Sequence, residues 1–303
     1  MDIRSALESV PDVDFLFDEP LARHTTFRVG GPARLLARPR SERALCALLE
    51  PVRDLGLPFL VLGGGSNVLA PDGVLDAAVI QLNAACNGLL RSEQGAQEQT
   101  VLHAGAGMKL QDLIGYCIEN GLRGLESLTG IPGTVGGALV MNAGTLEDSI
   151  SGSLISIDLL DADGVRRSIR RDELTPCYRK MGISEGSVVL GASFGLEPCP
   201  TDHLKSSAAR ILQYRRRTQP LRYPSAGSVF KNPPGQSAGT LIERAGLKGH
   251  RFGDAEVSKK HANWIVNRGK ASAREILGLM VEIENEIFAT FGVRLEREIR
   301  ILD

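Results

Sequence analysis

Residues 59–69 read Phe59-Leu60-Val61-Leu62-Gly63-Gly64-Gly65-Ser66-Asn67-Val68-Leu69. The four leading apolar residues have the length and composition of a buried β-strand, and the strand is cut off by three glycines and two small polar side chains. Lacking a Cβ, the glycines admit positive φ and let a ligand come within hydrogen-bond distance of the backbone. A strand that empties into such a loop offers successive N–H donors to an anion, a phosphate or pyrophosphate above all, with Ser66 and Asn67 adding side-chain donors. An ordinary tight turn is the other reading of one glycine tripeptide. A second stretch weighs against it: Gly130-Ile131-Pro132-Gly133-Thr134-Val135-Gly136-Gly137-Ala138, within the segment 124–144. It is too rich in glycine for a regular strand or a good helix interior. Only apolar residues separate the small ones, so the segment is expected to be buried, with irregular backbone whose polar groups need partners. A flat cofactor with polar edges would supply them; packing against another loop is the alternative. Neither stretch is the G-x-G-x-x-G fingerprint or the lysine-bearing P-loop, which disfavours a Rossmann unit and a nucleotide triphosphatase.

The remaining composition narrows the class. A chain of 303 residues is long enough for two or three domains with full cores. A net charge of −1 argues against broad, sequence-independent nucleic-acid binding. The N-terminus lacks a basic segment followed by an apolar one, and no apolar run reaches membrane-spanning length, so neither a signal peptide nor a membrane partner is expected. Cys46, Cys86, Cys117, Cys177 and Cys199 are scattered and never spaced C-x-x-C, which reads as free thiols in a reducing cytoplasm. His24, His103, His203, His250 and His261 show no ligand spacing, so no metal is expected.

Taken in order, His24 to Pro32 reads as a turn hinged at Gly30 and Gly31 and feeding a strand over Ala33–Ala37. Ser41 caps a helix with its stripe at Leu45, Leu48, Leu49, Val52 and Leu55, closed by Gly56. Strands are expected at Ala78–Leu82 and Thr100–Ala104 around a solvated polar loop, Arg91–Gln99. A helix follows with Leu110, Leu113, Ile114, Cys117 and Ile118 on one face and Gly121 at its end. Asp163-Gly164 marks a hairpin joining Leu154–Leu160 to Val165–Ile169, and another strand runs from Val188 to Phe194. Between them Tyr178-Arg179 reads, by residue type, as a surface ion pair. Pro198-Cys199-Pro200 marks a domain boundary. Beyond it a helix carries Leu204, Ala208, Ile211 and Leu212 on one face, and ends in Arg215-Arg216-Arg217; these cations suit the helix dipole, or greet a diphosphate. Ser228, flanked by small residues and anchored by Val229 and Phe230, is either a turn residue or a hydroxyl exposed for proton transfer or attack. A short helix over Thr240–Ala245 and a strand at Trp264–Val266 follow. Ser272 and Glu275 form a capping box for a last helix with Ile276, Leu279, Met280, Ile283 and Ile287 inward. In a closing strand Leu295, Ile299 and Ile301 share one face and Glu296, Glu298 and Arg300 the other, so Glu298 lines a cleft or sits on a solvated face.

Five motifs occur in order: Thr26-Phe27-Arg28-Val29-Gly30-Gly31, Leu62-Gly63-Gly64-Gly65-Ser66-Asn67, Gly130 to Ala138, Gly227-Ser228-Val229-Phe230-Lys231-Asn232-Pro233, and Leu295-Glu296-Arg297-Glu298-Ile299-Arg300. Together they resemble the UDP-N-acetylenolpyruvoylglucosamine reductases, flavoenzymes of bacterial peptidoglycan synthesis, from about residue 20 to the C-terminus. The compact length and Pro224-Ser225-Ala226 before Gly227 look like the shorter subtype without a tyrosine-bearing substrate loop.

The resemblance implies an α+β chain of α/β subdomains, with an FAD-binding fold of the vanillyl-alcohol-oxidase (PCMH) type plus a C-terminal substrate-binding domain. It divides the chain into FAD-binding subdomains 1–75 and 76–199 and a substrate domain 200–303, whose terminal strand 294–303 returns to the active site. It implies non-covalent FAD on Gly63, Gly64, Gly65, Ser66 and Asn67, and on Gly130, Pro132, Gly133, Thr134, Gly136, Gly137 and Ala138. NADPH is the implied hydride donor and UDP-N-acetylglucosamine enolpyruvate the substrate, in a monomer or weak homo-oligomer. Arg179 and a protonated Glu298 match the groups that stabilise an enolate-like intermediate, and Ser228 the proton donor to C2. Lys231 and Asn232 match a supporting relay, and Tyr178, Arg215, Gln219 and His261 are implied substrate contacts. One position departs from the pattern: Met181 stands where the family usually carries a serine, two residues after the arginine. Two other functions compete, a flavoprotein oxidase of the same fold acting on an alcohol or sugar and a nucleotide-binding protein without redox chemistry.

Overall fold

The computed structural model describes residues 3–82, 99–145 and 148–303 in full, and residues 91–94 by their backbone. The chain packs into two units, each assembled from separated segments. Unit one comprises Met1–Leu16, Leu35–Gly64 and Ala77–Gln213, and unit two Phe17–Arg34, Gly65–Asp76 and Tyr214–Asp303.

After a short helix, α1 (Ile3–Leu7), comes a sheet made of β1 (Val13–Pro20), β2 (Pro32–Pro39), β3 (Phe59–Leu62) and β5 (Leu75–Gln81) in the order β1-β2-β5-β3. Helix α2 (Glu42–Asp54) joins β2 to β3, capped as expected by Ser41, whose hydroxyl accepts the Ala44 N–H. Leu45, Leu48, Leu49 and Val52 are buried, and Gly56 closes the helix at φ 61°. Strand β3 pairs in parallel with β5, Phe59 opposite Ala78 and Leu62 opposite Gln81. It is not the buried strand that its composition suggests. It ends the strand order, and Val61 is 39% exposed, because an edge strand is covered less than a central one.

The second sheet of unit one has the order β10-β9-β11-β7-β6, from β6 (Arg91–Gln94), β7 (Thr100–Gly105), β9 (Leu154–Leu160), β10 (Arg166–Arg170) and β11 (Val188–Pro198), with β8 (Leu122–Arg123) also on β11. Its neighbours along that order are antiparallel. The hairpin at Asp163-Gly164 forms as read: Gly164 has φ 81°, and the Asp161 carboxylate accepts the N–H groups of Asp163 and Val165. Part of the expected polar loop at 91–99 is strand instead. Arg91–Gln94 add to β7 with Arg91 opposite His103, a pairing made by backbone groups that four polar residues do not advertise; residues 95–98 lie outside the described residues, as does Cys86. Helix α3 (Leu110–Glu119) buries Leu110, Leu113, Ile114 and Cys117 in a core shared with Leu102, Leu139, Ile157 and Phe194.

In unit two, helix α7 (Ala273–Phe291) presents Ile276, Leu279, Met280, Ile283 and Ile287 to a core that includes Phe27, Phe230 and Val257. Both halves of its Ser272–Glu275 capping box form. A further cap comes from far away in sequence: Asp72 accepts the N–H of Ala273 (2.6 Å) and of Arg274 (2.9 Å). Helix α6 (Ala238–Arg244) and strands β12 (Arg251–Phe252), β13 (Ala255–Val257) and β14 (Ile265–Asn267) complete the core. The closing strand is shorter than expected. Only β15 (Arg300–Ile301) pairs regularly, in parallel with β4 (Val68–Leu69), although burial still alternates, with Ile299 inside and Glu296 and Arg300 outside. Helix α5 (Thr201–Thr218) buries Leu204 and Ala208 but leaves Leu212 exposed.

Gly30 and Gly31 are packing positions rather than a hinge. A Cβ on Gly30 would lie 2.7 Å from the Ala70 Cβ, and Gly31 exchanges backbone hydrogen bonds with Leu21 (2.9 Å) and Pro71 (2.7 Å). Among the described residues no helix is long and apolar enough to cross a membrane.

Candidate functional site

The two glycine-dense loops meet in unit one. A Cβ on Gly64 would stand 2.9 Å from the Cα of Gly133, and one on Gly63 would overlap the Thr134 hydroxyl. Both glycines lie outside the positive-φ set, so closeness of approach excludes a side chain there, not backbone conformation. Thr134 is the N-cap of α4 (Val135–Val140), its hydroxyl accepting the Gly137 N–H at 3.3 Å. The expectation of wholly irregular backbone fails over these six residues, because the Thr134 cap and packing on Ala106 hold Gly136 and Gly137 in a helical turn: Gly136 N–H bonds the Ala106 carbonyl at 2.9 Å. Burial is also incomplete. Val135, Gly136 and Ala138 are inside, whereas Gly64, Pro132 and Gly137 are exposed and Gly130 is half-buried. The result is an exposed ledge of backbone without side chains, backed by packed residues. Such a ledge admits close approach of a flat cofactor to the main chain, although the N–H groups of Gly130, Ile131, Val135, Gly136, Gly137 and Ala138 already have partners within the protein.

Tyr178 and Arg179 occupy the tip of a tight turn in the same unit. Cys177 N–H bonds the Lys180 carbonyl at 2.8 Å and Lys180 N–H bonds the Cys177 carbonyl at 3.2 Å. Arg179 has φ 61°, its guanidinium 4.8 Å from the centroid of the Tyr178 ring and donating to the Gly144 carbonyl at 3.2 Å. Met181, where the family pattern has serine, is fully buried in the core of unit one. The departure therefore anchors the turn by packing.

Unit two gathers three segments distant in sequence. Gly65, at φ 62°, leaves no room for a side chain against the His24 carbonyl. Asn67 donates through Nδ2 to the Glu298 carbonyl at 3.2 Å and accepts the Arg300 N–H at 2.9 Å. Glu298 N–H bonds the Val229 carbonyl at 2.7 Å, and Lys231 N–H bonds the Glu296 carbonyl at 2.7 Å. Ser228 and Glu298 thus sit on adjoining backbone, both half-buried, beside Asn67. The anchoring residues Val229 and Phe230 are fully buried, as read. Asn263 was given no role by its sequence context, yet its side chain holds both backbone groups of Phe230, at 3.0 and 2.8 Å, and its carbonyl accepts the Val229 N–H. The signal was an asparagine among apolar residues just before a strand.

The other expected contacts in unit two differ in what already occupies them. Lys231 pairs with Glu296, and Asn232 Oδ1 accepts the Ala238 N–H at the start of α6. His261 accepts the Asn263 N–H at Nδ1; burial, then the Lys248 charge, pull its pKa below the ordinary histidine value. Arg215 is half-buried and bonds neutral Gln219 at 3.4 Å, and burial lowers its pKa.

Residues 219–302 match the family model described as UDP-N-acetylenolpyruvoylglucosamine reductase, C-terminal domain, and residues 33–169 match an FAD binding domain. A UDP-N-acetylenolpyruvoylglucosamine reductase of Syntrophobacter fumaroxidans is 53% identical over 298 residues, covering 98% of this chain and 86% of the relative. One from Agathobacter rectalis is 41% identical over 307 residues, covering 99% and 98%. The crystal structure of UDP-N-acetylenolpyruvylglucosamine reductase from Thermus caldophilus superposes with a TM-score of 0.81 at 35% identity, covering 96% of this chain and 99% of that one. The expected fold class, an α+β chain with an FAD-binding domain ahead of a reductase C-terminal domain, holds.

Proposed function

The chain belongs to the family of UDP-N-acetylenolpyruvoylglucosamine reductases, and from that premise we propose how its own residues divide the reaction between them. It is an FAD-dependent oxidoreductase that uses NADPH to reduce the enolpyruvyl ether of UDP-N-acetylglucosamine enolpyruvate to UDP-N-acetylmuramate, a peptidoglycan precursor. When bound, FAD would supply the hydride chemistry that links NADPH to C3 of the ether. The cofactor is assigned to Gly63, Gly64, Gly65, Ser66 and Asn67 and to Gly130–Ala138, where exposed Gly64 and Gly137 let it approach the main chain closely.

Hydride addition at C3 leaves negative charge on C2 and the adjoining carboxylate. Arg179 and a protonated Glu298 stabilise that charge by preorganised hydrogen bonds, each worth about 3 kcal/mol in sites of this type. Ser228 then gives its proton to C2. A hydroxyl is a weak acid, so the step depends on the basicity of the enolate and on a relay that returns the proton, a role we assign to Lys231 and Asn232. Arg215 and Gln219 face the diphosphate, and Tyr178 and His261 contact the substrate. Handling a nucleotide-linked precursor and NADPH is work for the cytoplasm.

The observation that carries this reading is the match of residues 219–302 to the reductase C-terminal domain, because Ser228 and Glu298 lie on adjoining backbone within that stretch. Rapid-reaction absorbance at the flavin band tests it. Ser228→Ala is expected to leave bleaching by NADPH unchanged and to slow recovery of colour with the enolpyruvyl substrate by about 10²–10⁴-fold. Equal slowing of both phases removes Ser228 from the proton step.

A further inference from the structure

Asn142 is a buried polar residue that the scheme above does not use. Its side chain is more than nine-tenths buried, and its backbone lies in the left-handed region at φ 40°. It directly follows the C-cap of α4, the helix opened by Thr134, and its N–H bonds the Leu139 carbonyl at 2.9 Å. Asparagine is a common residue in such a position, so the backbone conformation is accounted for by the helix end. The buried amide is not. Its Nδ2 donates to the Cys177 carbonyl at 3.0 Å, which fixes the orientation of the group, since only the nitrogen can face a carbonyl oxygen. Oδ1 is then left buried without a hydrogen-bond partner, the one such side-chain atom among the described residues. Native proteins rarely bury an acceptor this way unless a water or ligand completes it.

The Cys177 carbonyl belongs to the turn that carries Arg179, and Arg179 reaches back to the Gly144 carbonyl. Two hydrogen bonds in opposite senses, 142 to 177 and 179 to 144, therefore clamp the arginine turn to the segment leaving α4. We propose that Asn142 is a positioning residue for the reduction step: Nδ2 holds the Arg179 turn in place, and Oδ1 receives a hydrogen bond from an N–H donor of the flavin ring held by the Gly130–Ala138 loop. One amide then ties occupation of the loop to the placement of the arginine. The inference rests on the reductase reading and on the role of Arg179 within it.

Three variants test it in the holoenzyme: Asn142→Gly, which keeps the left-handed backbone and removes both side-chain bonds, Arg179→Met, and the double variant. Asn142→Gly is expected to leave flavin reduction by NADPH close to wild type and to slow reoxidation by UDP-N-acetylglucosamine enolpyruvate about 10–100-fold, the penalty of a misplaced group. It should also shift the visible bands of the bound flavin and weaken FAD binding by the apoprotein. In the Arg179→Met background it should cost nothing further in reoxidation, because the residue it positions is already gone. Wild-type reoxidation by Asn142→Gly, factors that multiply in the double variant, or equal slowing of both half-reactions overturns the inference. If Asn142→Gly does not hold FAD, Asn142→Ser, which keeps one hydroxyl, is judged by the same three criteria. A wild-type protein that fails to turn over this substrate defeats the reductase reading and the inference together. Normal wild-type turnover with an unaffected Asn142→Gly defeats the inference alone.

Discussion

Alanine at Gly64 and at Gly63 should damage the glycine ledge proposed to hold FAD for different reasons, and only one of the two should be curable. At Gly64 the new Cβ would meet the Cα of Gly133 at 2.9 Å, against the 3.4 Å at which ordinary contact begins, so the two loops must part by 3.4 − 2.9 = 0.5 Å. The obstacle is backbone on a residue that has no side chain to move. Overpacking of this kind costs about 1–3 kcal/mol, and at about 1.4 kcal/mol per tenfold that weakens FAD binding roughly 5- to 150-fold if the parted loops are not competent to bind. At Gly63 the Cβ would overlap the Thr134 hydroxyl, so Gly63→Ala carries a similar cost plus about 1 kcal/mol for the disturbed cap of α4. Here the obstacle is a side chain. Thr134→Gly removes it while losing only a few tenths of a kcal/mol as an N-cap, about 0.3 kcal/mol. The double variant Gly63→Ala/Thr134→Gly should regain most of the FAD affinity, whereas Gly64→Ala/Thr134→Gly should stay as weak as Gly64→Ala. Titration of apoprotein with FAD, followed by quenching of flavin fluorescence, reads each dissociation constant. Wild-type affinity in Gly64→Ala, or equal rescue of both alanines by Thr134→Gly, would refute the geometry of the loop contact.

Asp72→Ala removes the carboxylate that accepts the first two N–H groups of α7, and should lower stability by about 1–2 kcal/mol, read as a fall of about 2–3 °C in Tm; an unchanged Tm contradicts the cap. Burial holds the His261 pKa below its unfolded value of about 6.5, so below that pH the unfolded chain takes up a proton first. Stability should therefore fall as pH drops below about 6.5 until the folded pKa is passed, and it should fall less in His261→Gln; parallel stability profiles of the two proteins from about pH 7.5 to about pH 5.5 would count against the burial. Burial, with the Glu126 charge behind it, pushes the Cys117 thiol up to about 12, while Cys177 is exposed. At about pH 8, where an ordinary thiol is partly ionised, a thiol reagent followed by peptide mass spectrometry should mark Cys177 and spare Cys117 until the protein unfolds; equal labelling would show that Cys117 is accessible.

What the sequence disclosed and what it hid separate along the range of the interactions. Helix α2 was readable because Ser41, the 45-48-49-52 stripe and Gly56 lie within sixteen residues and each does its work locally. The capping box of α7 and the Asp163-Gly164 hairpin are local in the same way. Strand β6 is also local but carries no apolar alternation, so its pairing with β7 through backbone groups left no trace in side-chain pattern. Asp72 on the α7 terminus, Asn67 on Glu298 and Asn263 around Phe230 join residues 201, 231 and 33 apart, and no spacing rule reaches so far. The glycine loops were legible as chemistry, since lack of side chains is itself a statement about approach. That Gly64 faces Gly133 and Gly63 faces Thr134 needed the tertiary structure.

The charges of unit two separate the arginines that the sequence presented as a run. Along the segment carrying Glu298, the neighbouring charges are already matched. Glu296 pairs with Lys231, and Arg297 is held by both oxygens of Glu284 at 2.6 and 2.9 Å, which raises the Arg297 pKa further. Such pairs present little net field to an incoming anion. The proposal that Arg215 meets the diphosphate rests on the contrast. Arg216 and Arg217 are exposed and keep their hydration, whereas Arg215 is half-buried, its pKa lowered by burial, with a neutral amide and no carboxylate beside it among the described residues. A cation that has lost part of its water without gaining a counter-ion is held at a cost that an arriving phosphate reverses. The dipole of α5 is satisfied equally well by any of the three arginines, so it cannot explain why the sheltered one lacks an acidic partner. We propose that a site kept for an anionic ligand does.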